Sequence, residues 1–556
     1  MGYEPSFDLI DEPWLAVLDH GAQRKEVSLR ELFAGAQAAR QLAGELPTQN
    51  FAVLRLLIAI LQRSVFQARA DDDPIDVWSD LWEADRLPLD LIDAYLERHR
   101  QRFDLLHPVT PFFQVAGLTT AKGPPGPVKK LVADVPDGHQ FFSSRSGLEA
   151  TRLAFGEAAR WLVHLQAFDT AGIKSGVLGD PTVKGGKSYP IGTGWAGKLG
   201  GVYAEGADLR QTLLLNLVLD TGAWRRNPPD LPLWELEPQG ADPTAPRPAP
   251  VGPAGLYTWA ARAVRLIPDD GGVVGAVLTN GARLDQPNRH QLEPMSAWRR
   301  SANQERRLRL ETVFMPLAHV PERALWRGLQ AMLPEAQTAS TPSLQAPLVV
   351  NWIAGLVLEG VLPADYPVGL SAAALVYGSN NSVVSGSVDD SILIHAALLD
   401  PDRPALRELA VDAVGAADAA VSSLGRLATN IDLAGGSRDS HADQAARAQA
   451  YFRLDGPFRI WLSRIGAGTP LAEAKAEWET TVATTLIRIA QELEWEAAPR
   501  AFQGSEVKRG QGGSSWMTLG KAMALFHHGL ARSLPNRKQA GAATGEPVTI
   551  EGGKDD

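Results

Sequence analysis

Apolar and polar residues alternate along two stretches near the start of the chain. Phe7–Ile10 and Trp14–Leu18 read as strands around the turn Asp19-His20-Gly21. The period then lengthens. Ser28 and Glu31 have the spacing of a capping box, and Pro47-Thr48 opens a helix whose stripe runs through Phe51, Leu54, Leu57, Ile58 and Leu61. Thr151–Phe168 repeats the helical period through Leu153, Trp161, Leu162 and Leu165. From about 271 to 398 short strand-like runs dominate, among them Leu348-Val349-Val350 and Ser391–Ile394.

Past Pro401 the pattern becomes helical, over roughly 402–430, 439–465, 470–497 and 513–534. Gly435-Gly436, Gly466–Pro470 and Gly504–Gly513 act as stops between these segments. The resulting expectation is an α+β fold: a large mixed N-terminal domain over 1–400, then a C-terminal four-helix bundle over 401–535. Residues 536–556 offer almost nothing to bury and read as a disordered tail.

A chain of 556 residues is too long for one core, which agrees with this division. The 45% hydrophobic and 21% charged content is that of an ordinary globular protein. The longest apolar run, Phe51–Leu61, is interrupted by Arg55, and no leader pattern is visible, so the expectation is a cytoplasmic protein without a membrane partner. The chain has no cysteine, which rules out disulfides and thiolate metal sites. A net charge of −10 argues against a general nucleic-acid coat but leaves room for a local basic site, since phosphate attraction is screened beyond about 10 Å.

Catalytic motifs are sparse. Lys184–Ser188 resembles the end of a phosphate-binding P-loop, but Pro181 stands where the first glycine belongs and Pro190 follows closely. A P-loop-like nucleotide hydrolase using Lys187 and Ser188 is therefore the alternative rather than the leading reading. His527 and His528 are adjacent on a helix and diverge by about 100°. The sequence gives no catalytic residue, metal site or cofactor.

Several segments could touch nucleic acid. Glycines of Gly185–Gly201, including Gly185, Gly186, Gly192 and Gly194, would let backbone amides approach DNA, with Lys184, Lys187 and Lys198 supplying charge. A flexible surface loop is the plainer reading. In Tyr377–Val383, Asn380 and Asn381 suit a hairpin tip, and a small polar tip can enter a minor groove; ordinary turn chemistry accounts for the same residues. The basic tract Arg283, Arg289, Arg299, Arg300, Arg306, Arg307 and Arg309 could hold a phosphate backbone or form a solvated face paired with Glu305 and Glu311. Phe141, Phe142, Ser143 and Arg145 would make an aromatic and basic loop.

In order along the chain, Phe7–Leu15, His107–Gln114, Gly200-Gly201 with Asp208–Asn216, and Tyr377–Val383 resemble the CasA family, the large subunits of the type I-E CRISPR complex Cascade. The resemblance implies a subunit without catalysis that recognises the protospacer-adjacent motif in double-stranded DNA, opens the duplex for guide RNA pairing, and helps recruit a helicase–nuclease. Its implied partners are the subunits CasB, CasC, CasD and CasE, the CRISPR guide RNA and target DNA. A purely structural subunit that touches only protein is a further alternative. Carried over by position, the family's wedge falls on Asn381, Ser382 and Val383, and its glycine loop on 185–194, with Gly192 and Gly194 nearest in spacing. Its guide-handle loop falls on Phe141–Arg152, and its minor-groove lysine falls near Arg283. Two departures stand out: Ser382 replaces the family's wedge glutamine, and the cysteine cluster of some relatives is missing.

Overall fold

The computed structural model describes residues 6–133, 151–219, 229–334, 343–437, 440–509 and 513–537. It divides into two compact units, Met1–Asp402 and Arg403–Asp556.

In the first unit, Leu15–Asp19 and Arg24–Val27 pair antiparallel, with Ala39–Leu42 on the other edge of Leu15–Asp19. Ser28 and Glu31 form the expected reciprocal cap of the helix Leu29–Ala34. Phe7–Ile10 is not the expected strand. The Asp8 carboxylate accepts from Ile10 N at 3.0 Å and the Asp8 carbonyl from Glu12 N at 2.8 Å, local bonds that compete with sheet pairing.

Pro47–Arg69 forms a helix that runs beyond the apolar stretch read from sequence. It is long and apolar enough to cross a membrane by length and composition, yet 83% of its most apolar window is buried inside the unit. Arg55, the apparent interruption, is itself interior: its guanidinium forks onto Glu293 at 2.7 and 2.9 Å, and Glu293 also accepts from Trp195 Nε1 at 2.6 Å.

The region 271–398 is less strand-rich than expected. Leu348–Leu358 is a helix that starts after Pro347 and buries Val349, Val350, Trp352 and Ile353. An apolar run of that kind is compatible with a buried strand or a buried helix, and its 11-residue length decides for helix. Ser391–Ile394 lies, as expected, in a strand. That strand, Val384–His395, pairs with Pro367–Tyr377 in a long hairpin, and Gly201–Glu205 lines the hairpin's other edge.

In the second unit, Pro404–Ala434, Ala442–Leu462, Leu471–Trp495 and Leu519–Ser533 are helices. Phe458 and Trp461 meet Trp478 with ring centroids 5.0 and 5.7 Å apart, and Trp478 Nε1 donates to the Ala413 carbonyl at 2.9 Å. The last helix begins later than its period suggested. Ser505–Arg509 and Gly513–Met517 form a hairpin, and Thr518 then caps Leu519–Ser533 by accepting from Lys521 N at 3.2 Å. The tail from 538 onward lies outside the described residues.

Candidate nucleic-acid interface

The tip of the long hairpin is built from residues that tolerate a left-handed backbone. Asn380 and Asn381 both have φ of 54°. Gly378 N donates to Val383 O at 2.9 Å, and Asn381 N to Gly378 O at 3.0 Å. Ser382 bonds Ser379 O twice, through its amide at 3.2 Å and its hydroxyl at 2.9 Å. The Ser382 hydroxyl proton therefore serves the turn. Asn380, Asn381, Ser382 and Val383 are all exposed, so the tip presents amides and a small aliphatic group to solvent.

The tip is fixed to the C-terminal end of the helix Phe155–Phe168. Ala171 N donates to Asn381 O at 2.7 Å, and the Tyr377 hydroxyl to Phe168 O at 2.5 Å. The glycine-rich stretch is tied to the same place: Gly194 N donates to Asp169 O at 3.0 Å. Arg262, whose side chain has no exposure, joins them. It pairs with the Asp169 carboxylate and donates to the Thr170 and Gly192 carbonyls at 2.8 Å each. Lys174 Nζ lies 2.7 Å from the same carboxylate. Burial alone would raise the Asp169 carboxyl, but Arg262 and Lys174 outweigh it and hold it below its ordinary value. The buried ionic cluster thus holds the glycine-rich stretch at Gly192 and the backbone at Thr170, next to the Ala171 amide that holds Asn381.

The glycine-rich stretch has two halves. Lys184–Lys187 is a tight turn closed by Lys184 N to Lys187 O at 3.0 Å and the reverse bond at 3.1 Å, with Gly185 and Gly186 at φ 61° and 78°. The P-loop alternative does not fit this geometry. Lys187-Ser188 is a strand paired with Lys174-Ser175, Ser188 is buried against Asn280 Nδ2 at 3.1 Å, and the next helical element is the 3-10 turn Ala196–Lys198, so no helix starts at Lys187-Ser188 to receive a phosphate. The second half, 192–201, is packed. Trp195, Ala196 and Leu199 are buried, and a Cβ on Gly194 or Gly197 would overlap the Ala167 carbonyl or the Tyr377 hydroxyl. The plainer reading, a flexible surface loop, does not hold there.

Gly192, Lys198, Arg283, Arg307, Tyr377 and Asn381 line one cleft of about 750 Å³. Lys198 is half-buried and donates to Leu284 O at 2.6 Å; burial, with Arg262 and Arg283 nearby, pushes its ammonium down to about 8. Arg283 is exposed and meets Asp285 at 3.1 Å. Lys184, Gly185, Gly186 and Lys187 point elsewhere: Gly186 and Lys187 line a second cavity, of about 410 Å³, which also takes in Ser382 and Val383.

The basic tract is neither one helix face nor one phosphate track. Arg299 and Arg300 sit on the strand Trp298–Arg300 and Arg306 and Arg307 on the helix Ala302–Leu308, with Arg300 held by Glu305 at 2.6 Å. Arg289 donates to Asp285 O, four residues earlier, at 2.8 Å. Phe141, Phe142, Ser143 and Arg145 lie outside the described residues. The sequence reading missed Asp169, Lys174 and Arg262. Their partners are far apart in the chain, and Asp169 closing the periodic helix before a glycine-rich stretch was the single local hint.

The family model for CRISPR-associated protein Cse1 matches residues 8–489. A CRISPR-associated protein CasA/Cse1 of Thermus thermophilus is 32% identical over 342 residues, which cover 60% of this chain and 61% of that protein. The crystal structure of Thermobifida fusca Cse1 superposes with a TM-score of 0.86 at 41% identity, over 96% of this chain and 99% of that one. The Cse1 structure from Acidimicrobium ferrooxidans gives 0.80 at 30% identity, with the same coverage. The chain belongs to the family of CRISPR-associated protein Cse1, the CasA subunit of Cascade.

Proposed function

We propose that this subunit recognises the protospacer-adjacent motif in double-stranded DNA and separates the strands beside it so that the guide RNA can pair. The observation that carries the proposal is the cleft in which Asn381, Gly192, Lys198 and Arg283 converge from three distant parts of the chain. Asn381 offers an exposed amide to minor-groove acceptors, and Arg283 an exposed cation to a phosphate or the groove floor. Lys198 adds a second cation to the cleft and, by donating to Leu284 O, holds the segment that carries Arg283.

With Ser382 engaged inside its own turn, Asn380, Asn381 and Val383 are the tip groups left to enter the duplex. The working assembly is taken to include CasB, CasC, CasD, CasE, the guide RNA and, once the strands are open, the helicase–nuclease. Its setting is the cytoplasm, and the subunit's own part is binding rather than catalysis.

The test is a reconstituted complex titrated with duplexes that carry the correct or a scrambled motif. Asn381→Ala should collapse the discrimination and Ser382→Ala should reduce it less. Discrimination left unchanged by both substitutions would refute the assignment. Robust ATP turnover by the full chain, abolished in Lys187→Ala, would instead favour an enzyme.

A further inference from the structure

The hairpin tip is a wall between two cavities. Asn381 lines the larger cleft, whereas Ser382, Val383 and Val384 line the cavity of about 410 Å³ on the other side. That volume lies near the lower end of the roughly 300–1,000 Å³ typical of small-molecule pockets, too small for a duplex and of a size for one nucleotide.

Its lining has the two chemistries a nucleotide needs. The inner wall is apolar, from Phe168, Leu278 and Leu375, and Ile173 and Val383 stand exposed at the mouth, at 55% and 44%. Among the described residues, the charged lining consists of Lys129, Lys130, Lys174 and Lys187 against Asp169, a formal +3 in a chain whose net charge is −10. Lys129, Lys130 and Lys187 are exposed, while Lys174 is held inside by Asp169. Hydroxyls of Thr170, Ser175 and Ser382 complete the surface. An apolar wall beside a cationic rim selects an unpaired base with its phosphate.

We infer that this cavity holds one unpaired nucleotide of the DNA strand that the tip has displaced. The inference rests on the strand-opening function proposed above and extends it: one face of the tip reads the closed duplex, and the other receives a nucleotide once the duplex is open. Capture of that nucleotide would oppose re-pairing at the first opened position.

The test uses the assembled complex on target duplexes with single 4-thiothymidines at each position within a few nucleotides of the motif, irradiated and mapped by mass spectrometry. Cross-links to residues 173–187 are expected at one or two adjacent positions, and only with the correct motif. The combined substitutions Lys130→Glu and Lys187→Glu should lower their yield by about tenfold. Millimolar dTMP should leave the cross-link intact, because a tethered nucleotide has a far higher effective concentration. Competition by dTMP would assign the cavity to free nucleotide and overturn strand capture. Motif discrimination with no cross-link to 173–187 at any position would refute this inference and leave the motif-reading function standing. Equal binding of correct and scrambled motifs would refute both.

Discussion

The two halves of the glycine-rich stretch use the same residue for opposite reasons. In Lys184–Lys187, glycine supplies positive φ at a turn where a Cβ on Gly185 would meet nothing within 4 Å. In 192–201, Gly194 and Gly197 are there because neighbouring atoms leave no room for a side chain. The first half is an open turn, and the second is a strap packed against Tyr377 of the long hairpin. The strap is tied down by Arg262, which bonds Gly192 O and the Asp169 carboxylate, and by the Asp169 carbonyl; Asn381 is held two residues on, by the Ala171 amide.

The most forceful way to break this comparison is to remove the cluster. Arg262→Ala deletes the bonds to Gly192 and Thr170 and leaves Asp169 to Lys174 alone. Taking one of two partners from a buried carboxylate, with the other retained, costs about 1–3 kcal/mol, and the melting transition of the first unit should fall accordingly. Protection of the amides of Ala171 and Gly194 from hydrogen exchange should fall with it. An unchanged melt would mean that the cluster positions nothing.

Glycine itself gives the sharper contrast. Gly197→Ala must displace the Tyr377 hydroxyl, which donates to Phe168 O, at an overpacking cost of about 1–3 kcal/mol. Gly185→Ala has open space and bears only the left-handed backbone penalty of about 1–2 kcal/mol. Pairing Gly197→Ala with Tyr377→Phe, which removes the obstructing oxygen, should recover part of the first loss and none of the second.

These particulars mark what sequence could reveal. Capping, proline at a helix start and asparagine at a tip are local chemistry, so Ser28–Glu31, Pro47 and Asn380-Asn381 were legible. The bundle helices were legible from period alone, although the hairpin Ser505–Met517 was hidden behind glycines that read as a stop. Which glycines were packed and which were open was not legible, because the deciding atoms come from residues such as Tyr377, far along the chain. The buried ionic cluster was hidden for the same reason: Asp169 and Arg262 have no common motif, and only the fold brings them together. The family resemblance pointed to the tip and loop by position, without the physical link between them.

Strap and tip should also separate by the kind of damage done. Asn381→Gly removes an exposed side chain while keeping a residue at ease with φ of 54°, so stability should change by no more than about 0.5 kcal/mol. Loss of a groove contact is worth about 1–3 kcal/mol of discrimination, measured as the ratio of affinities for correct and scrambled motifs in the assembled complex. A variant that lost stability and kept discrimination would reverse the roles given to tip and strap.

The smallest effect is the most selective. Lys198 belongs to the strap, and burial, with Arg262 and Arg283 nearby, lowers its ammonium to about 8 from an ordinary value of 10.5. Between those limits the unfolded chain binds more protons than the folded one, so this residue's contribution to stability rises with pH from about 8 to 10.5. DNA affinity should move the opposite way, because the cation beside Arg283 and Asn381 is lost as pH passes 8. From pH 7 to 9 the slope of log affinity against log salt should shrink by about 0.7, some four-fifths of the share of one phosphate-neutralising cation. Lys198→Arg, which stays charged, should hold the slope constant over that range, and Lys198→Met should show the reduced slope already at pH 7. A slope in the unaltered protein that does not change with pH would remove Lys198 from the electrostatics of the cleft and leave it as packing beneath Leu284.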